Sequence, residues 1–335
     1  MKLKRTVGAA AALMLPAFAS SVVPSPAELA AAVLQPAPAF TFIYNGSTSA
    51  ALLPSWKQSG NATYTTWRSP DGFWVRRNVT DFAPAHAARI WVLDFGFDAG
   101  SSPAGTAAAI LELPLVADLS WPDNSATGPT LHYADGSNQS VADFQPHSLT
   151  PLPSAAAPKV FVPRGGRSSD GTMPYWNLQS GDKLAMSWML AVGWTGTWRA
   201  SFSHTCREVG GGDCSTAFSA GMNTTRIRLR PGETIRTPAV AQLAYAATMP
   251  DGRLRGHNLW RRFMLSELSP RPEGAKLSEL MPRALSSAAM NWNAFNTSNQ
   301  IDYARSMHAA FGDSVDTFWM DAGWDGAFPF VQGNW

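Results

Sequence analysis

The sequence predicts a large antiparallel β-sandwich followed by the beginning of a parallel α/β unit. Two patterns predict it. From about residue 41 to 250, short apolar stretches alternate with Gly, Pro, Asn, Asp and Ser, the punctuation of many short strands. Near the carboxyl end, strand, helix and strand patterns follow one another within about 40 residues, the signature of a βαβ unit. Composition sets the outer bounds. A chain of 335 residues suggests two domains and can bury a sizeable core. Its 14 Trp and 17 Phe, with only 15% charged residues, exclude a disordered chain. Lys and Arg number 26 against 24 Asp and Glu, so there is no basic excess for phosphates, and nucleic-acid binding is disfavoured. No apolar run reaches ~18 residues, so no transmembrane span and no membrane partner are expected.

Each element has its own justification. Residues 1–19 read as a secretory signal peptide. Lys2, Lys4 and Arg5 form a positive start, Val7 to Leu15 an apolar stretch, and Ala17-Phe18-Ala19 a small-residue cleavage site before Ser20. Cleavage there would move the formal charge from +2 to −1. Residues 20–40 are rich in Ala and Pro and form a loose lead-in. The sandwich is assigned to 40–254. Within it Phe73-Trp74-Val75, Ile90 to Leu93 and Leu184 to Val192 read as strands, and Thr225 to Arg230 alternates polar and apolar as a half-buried strand does. It runs into the turn signal Pro231-Gly232-Glu233. Residues 255–282 are assigned to a helical linker, with Leu259 and Phe263 on one helix face. Ala284 to Trp292 reads as a buried strand. Thr297 and Gln300 form a capping box, and Ile301, Ala304, His308 and Phe311 follow at helical spacing up to the stop at Gly312. Val315 to Met320 is the second strand.

Chemistry-bearing residues are few. Cys206 and Cys214 are the two cysteines; in an oxidising compartment they would close a short loop around Gly210-Gly211-Gly212, and otherwise they are free thiols. With only His204 nearby they offer zinc too few ligands. His204, His257 and His308 are read as structural. Sequons at Asn45, Asn61, Asn78, Asn138, Asn223 and Asn296 fit a glycoprotein made in a eukaryotic host. Gly165 to Ser169 is Gly-rich but lacks the strand–helix context of a phosphate loop. Trp188, Trp194 and Trp198 are read as sandwich core rather than as a ligand platform. The most informative cluster is Trp319-Met320-Asp321-Ala322-Gly323-Trp324-Asp325. It places an acid at the end of an apolar strand, where parallel-barrel enzymes keep their chemistry. A carboxylate accepts hydrogen bonds from sugar hydroxyls while an indole covers the apolar face of the ring. Asn291-Trp292-Asn293 and Gly333-Asn334-Trp335 repeat the combination. The pattern is equally that of core tryptophans with an acid capping a loop.

Across about residues 160–335 the sequence resembles the α-galactosidases (melibiases) of glycoside hydrolase family 36, in retaining clan D. The stretches that carry the resemblance are Gly165 to Ser169 with Met173 to Gln179, Ala191 to Trp198, Ala220-Gly221-Met222, Leu229 to Glu233, Arg236-Thr237-Pro238, Arg255 to Arg262, Asn291 to Ala294, Phe318 to Trp324 and Gly333-Asn334-Trp335. The resemblance implies a β-supersandwich, a connecting helix, and a (β/α)₈ TIM barrel whose first strands are about 284–291 and 315–321. Residues 283–335 are 53 in number, too few for a barrel of ~250 residues, so it implies an amino-terminal fragment. Asp321 matches the first of an acidic pair that binds galactose hydroxyls, and Ala322 stands where many relatives carry the second. Trp335 matches a tryptophan at the galactose site, Trp292 lies at the rim after the first strand, and Trp324 follows the acidic motif. The family's nucleophile and acid/base match no position here, so no catalytic residue is assigned in this chain. The implied function is hydrolysis of terminal α-galactosyl residues from galacto-oligosaccharides, with no metal and no cofactor. Galactosyl transfer, an α-N-acetylgalactosaminidase, or a non-catalytic carbohydrate-binding protein are the alternatives. Relatives are often homo-oligomers, though no interface is readable.

Overall fold

Phe73, Val75, Arg77 and Val79 share one side of their strand, and Trp74, Arg76, Asn78 and Thr80 the other, as the two-residue period of a strand requires. The first set faces the core and the second faces outward. A computed structural model describes residues 39–100, 109–122, 128–137, 140–180, 186–206, 214–247, 252–269, 283–286 and 296–320. The assigned leader, residues 1–19, lies outside them.

Two antiparallel sheets hold the first seventeen described strands, numbered in chain order. The larger runs β3 (Lys57–Gly60), β4 (Tyr64–Arg68), β5 (Phe73–Asp81), β6 (Ala88–Phe97), β17 (Ala239–Ala246), β12 (Met186–Gly193), β11 (Tyr175–Gln179), β8 (Thr130–Ala134), β9 (Pro146–Leu149), with β16 (Thr234–Arg236) also on β6. The smaller runs β10 (Lys159–Phe161), β13 (Trp198–Cys206), β14 (Cys214–Met222), β7 (Ala109–Pro122), β1 (Thr41–Tyr44), β2 (Ser47–Thr48), with β15 (Arg226–Leu229) also on β7. The strands read from sequence at 73–75, 90–93, 184–192 and 225–230 fall on β5, β6, β12 and β15. After β15 the predicted turn forms: Glu233 N–H donates to Arg230 O at 3.0 Å, and Gly232 takes the positive φ of 85° that favours glycine.

Aromatic side chains join the sheets. Phe42 of the smaller sheet meets Phe95 of the larger at 5.3 Å, and Trp176 of the larger meets Trp198 and Phe202 of the smaller at 5.4 Å each. All five are essentially buried. Truncating one such ring to alanine costs about 3–5 kcal/mol, because the cavity adds to the lost transfer energy. Trp91 and Trp198 keep their indole N–H groups satisfied on Val116 O and Ser168 O, both at 2.8 Å.

The break between β16 and β17 explains the Arg236-Thr237-Pro238 motif. Pro238 has no N–H for the ladder. Thr237 fills the gap: its N–H donates to Leu93 O at 2.9 Å, and its hydroxyl accepts from Leu93 N–H at 3.0 Å. The chain can therefore leave β6 and rejoin it without orphaning the buried strand.

Helix α1 (Gly252–Phe263) packs on the larger sheet's outer face at β11 and β17. A Cβ on Gly256 would come within 2.6 Å of the Tyr245 ring, so only glycine lets the helix approach this closely. Beneath it Asn177, Ser187, Met189, Leu243 and Tyr245 are buried. Tyr245 donates to Asn177 Oδ1 at 2.6 Å, and Asn177 Nδ2 donates to Arg253 O at 3.3 Å. Burial raises the Tyr245 phenol to about 12. Burial and the Arg253 cation lower both His132 and His257, so the seam under the helix favours neutral imidazoles.

The chain divides into two units, Met1–Arg261 and Arg262–Trp335. In the second, β18 (Ala284–Ser286) pairs in parallel with β19 (Thr317–Trp319), and α2 (Thr297–Phe311) connects them. The helix departs from the expectation in two ways. Its N-cap is Asn296, whose side chain accepts from Asn299 N–H at 2.9 Å, not Thr297; the two are adjacent, and both residue types cap well. Its less exposed face carries Gln300, Tyr303 and Met307 with the expected Ala304, while Ile301, His308 and Phe311 are exposed. Tyr303 turns toward the strands, its ring 5.9 Å from Phe318. Gly312 ends the helix with a φ of 53°, as expected. The first strand is not buried over its described part: Ala284 and Ser286 are exposed and Leu285 is intermediate. Among the described residues no helix is long and apolar enough to cross a membrane.

Candidate functional site

Parallel pairing puts the carboxyl ends of β18 and β19 on one edge. The register sets Ala284 opposite Thr317, Leu285 opposite Phe318 and Ser286 opposite Trp319. Arg283 and Asp316 fix the opposite edge. Arg283 N–H donates to Asp316 Oδ1 at 3.0 Å and Arg283 Nε to Oδ2 at 3.1 Å. Hydrogen bonds from Thr317 and Arg283 hold the Asp316 carboxyl below the usual carboxylate range. At the other edge Trp319 and Met320 are strongly exposed, at 68% and 47%. In parallel-barrel enzymes the chemistry is placed at the carboxyl ends of the strands. Asp321 is the next residue in sequence. Asp321 itself, with Trp292, Trp324 and Trp335, lies outside the described residues.

The sandwich motifs have structural roles. Gly165 and Gly166 take positive φ of 59° and 74° in a turn closed by Arg164 N–H donating to Asp170 O at 2.9 Å and by Arg167 to Asp170 Oδ2 at 2.5 Å. This turn presents Ser168 O to the buried Trp198 indole, so it supports the core. Trp188 and Trp198 are buried core residues, as expected. Trp194, just past the end of β12, is partly buried and packs against the same core, and it also lines an outer groove with Gly193, Thr195 and Arg236.

Cys206 and Cys214 are joined in a disulfide. They stand directly opposite each other on β13 and β14, so the antiparallel register brings the sulfurs together. His204 accompanies them and bonds Thr216 Oγ1 at 3.0 Å. Among the described residues this trio is the one grouping with metal-ligand spacing, but both sulfurs are spent on each other, leaving a single imidazole.

The chain is a two-sheet antiparallel sandwich followed by a parallel strand–helix–strand unit, and comparison with solved structures finds the same fold. The fold matches the GH36 alpha-galactosidase AgaB from Geobacillus stearothermophilus at 17% identity and a TM-score of 0.53, covering 87% of this chain and 40% of that one. It matches substituted forms of the GH36 alpha-galactosidase AgaA from the same organism, solved with raffinose and with stachyose, at 17% identity, the same coverages and TM-scores of 0.55 and 0.54. The antiparallel sheets correspond to the amino-terminal domain of that fold, and the chain spans about 40% of the length of these structures. No family model and no curated protein matches the chain.

Proposed function

We propose that this chain is the amino-terminal part of a secreted glycosidase of GH36 type. The whole protein hydrolyses terminal α-galactosyl residues from galacto-oligosaccharides. One observation carries the reading: within the GH36 sandwich fold, a parallel strand pair leads at its carboxyl edge directly into Asp321-Ala322-Gly323-Trp324. The neighbour AgaA is solved with raffinose and stachyose, which supports oligosaccharides of that kind as substrates. Asp321 accepts hydrogen bonds from galactose hydroxyls, and Trp292, Trp324 and Trp335 cover the sugar's apolar face. The signal-like leader and the disulfide support secretion.

The chemistry proposed for the whole protein is retaining. It needs two carboxyl groups ~5–5.5 Å apart, one to attack the anomeric carbon and one to protonate the leaving oxygen and then activate water. No residue of this chain is given either part. Asp321 instead binds and orients the ring.

The test is Asp321→Ala in the whole protein with raffinose as substrate. Charge-assisted hydrogen bonds contribute about 1.5–3 kcal/mol each, so kcat/KM falls on the order of a hundredfold or more. Unchanged kinetics with a correctly folded variant remove Asp321 from the site.

A further inference from the structure

Helix α1 meets the larger sheet's outer face at Asn177 and Tyr245. Over β5, β6, β16 and the start of β17 the same face carries a polar–aromatic groove. Two adjoining cavities of about 270 and 430 Å³ share Arg236 and Ala239. The first is lined by Asn78, Thr80, Ile90, Val92 and Asp94, the second by Gly193, Trp194, Thr195 and Thr237. The larger falls within the range of a small-molecule site, ~300–1,000 Å³.

The register explains why these residues converge. Arg236 on β16 stands directly opposite Asp94 on β6, and Arg76 on β5 stands opposite Asp94 from the other side. Yet among the described residues neither guanidinium forms an ion pair with Asp94. Arg76 is held elsewhere: its guanidinium lies 5.3 Å from the Tyr64 ring and 5.5 Å from the Trp74 ring, and its Nε donates to Thr66 Oγ1 at 3.2 Å. Asp94 receives one bond, from Asn78 Nδ2 to Oδ2 at 2.6 Å. Its Oδ1, the Arg236 fork, and the Thr80 and Thr195 hydroxyls therefore keep hydrogen-bonding capacity on one surface. Trp194 supplies an indole at one end, and Ile90, Val92 and Ala239 supply an apolar floor.

We infer that this groove is a carbohydrate-binding site for neutral hexose units, separate from the Asp321 edge. The juxtaposition is what a sugar requires. A carboxylate accepts from hydroxyls, a planar guanidinium donates to them in a fixed fork, and an indole covers C–H faces. The Asp94 carboxylate and the Arg236 guanidinium face one groove, so acceptors and donors are presented together, as hydroxyl-bearing ligands require. The site would hold the polysaccharide from which the oligosaccharide chains project.

The probe is galactomannan in native affinity gels, with polygalacturonate as the charged control. The chain is made in a host that adds no N-glycan, because Asn78 heads a sequon. The chain is retarded by galactomannan and not by polygalacturonate. Arg236→Gln, Asp94→Asn and Trp194→Ala each weaken retardation about tenfold, the loss of one good contact, while Asp321→Ala leaves it in place. Thermal unfolding confirms that the variants fold; Arg236→Gln, at an exposed position, serves where Trp194→Ala does not. Absence of retardation overturns the proposal, as does retardation by polygalacturonate alone. Retardation lost in Asp321→Ala but kept in the groove variants also overturns it, and leaves the galactoside reading standing.

Discussion

Asp71 is a place where burial and hydrogen bonding oppose each other. Burial raises a carboxyl's affinity for its proton, but Ser69 Oγ, Tyr44 Oη at 2.6 Å and Phe73 N–H at 3.4 Å all donate to this one. The donors prevail, and the group is held below the usual carboxylate range. Tyr44 belongs to the smaller sheet and Asp71 to the turn before β5, so the bond ties the two sheets. A depressed folded pKa gives stability that is present above the unfolded value of ~3.9 and is lost as pH falls through the folded value. Denaturant unfolding at pH 5 and pH 3 therefore shows a smaller acid loss for Asp71→Asn than for the wild type. An equal loss in both contradicts the linkage. At this scale the sequence is least legible. The partner Tyr44 is 27 residues from Asp71, and no local pattern announces it. Asn78, Asp94, Arg236 and Trp194 are of the same kind. They come from four separate segments, and only the sheet register unites them.

The hairpin of β13 and β14 was legible as an element. Two cysteines eight apart around three glycines predict a closed loop, and the structure closes it with Cys206 opposite Cys214. Chain-entropy reasoning for so short a loop gives about 2–2.5 kcal/mol. The double variant Cys206→Ser, Cys214→Ser should lose about that much in urea unfolding. Unchanged stability contradicts the entropic account. Helix α2 shows where element-level reading falters. Its stop at Gly312 was readable because a positive φ favours glycine. Its face was not, because Ile301, Ala304, His308 and Phe311 follow the same three- and four-residue spacing as Gln300, Tyr303, Ala304 and Met307. Which stripe turns inward is decided by the strands it meets. The strand at 284 likewise read as buried from apolar composition, whereas its described residues are exposed or intermediate in burial.

For the whole molecule, strand-sized apolar runs and turn residues were enough to predict a large antiparallel sandwich, and the two sheets answer that prediction. The motif order pointed to glycoside hydrolase family 36, and the fold agrees with the GH36 amino-terminal domain. The candidate sugar site was read as a run of residues, Trp319 to Trp324, of which the described residues reach Met320. Asp321, Trp292, Trp324 and Trp335 come from separate segments outside the described residues.

The measurement that tests the account most directly follows the anomer released by the whole protein from p-nitrophenyl α-galactoside, by proton NMR in the first minutes. Retention through a glycosyl-enzyme intermediate releases α-galactose first, with the β-anomer appearing only by mutarotation. That is the predicted result. Release of β-galactose first, or no release of galactose by the folded protein, would contradict the account.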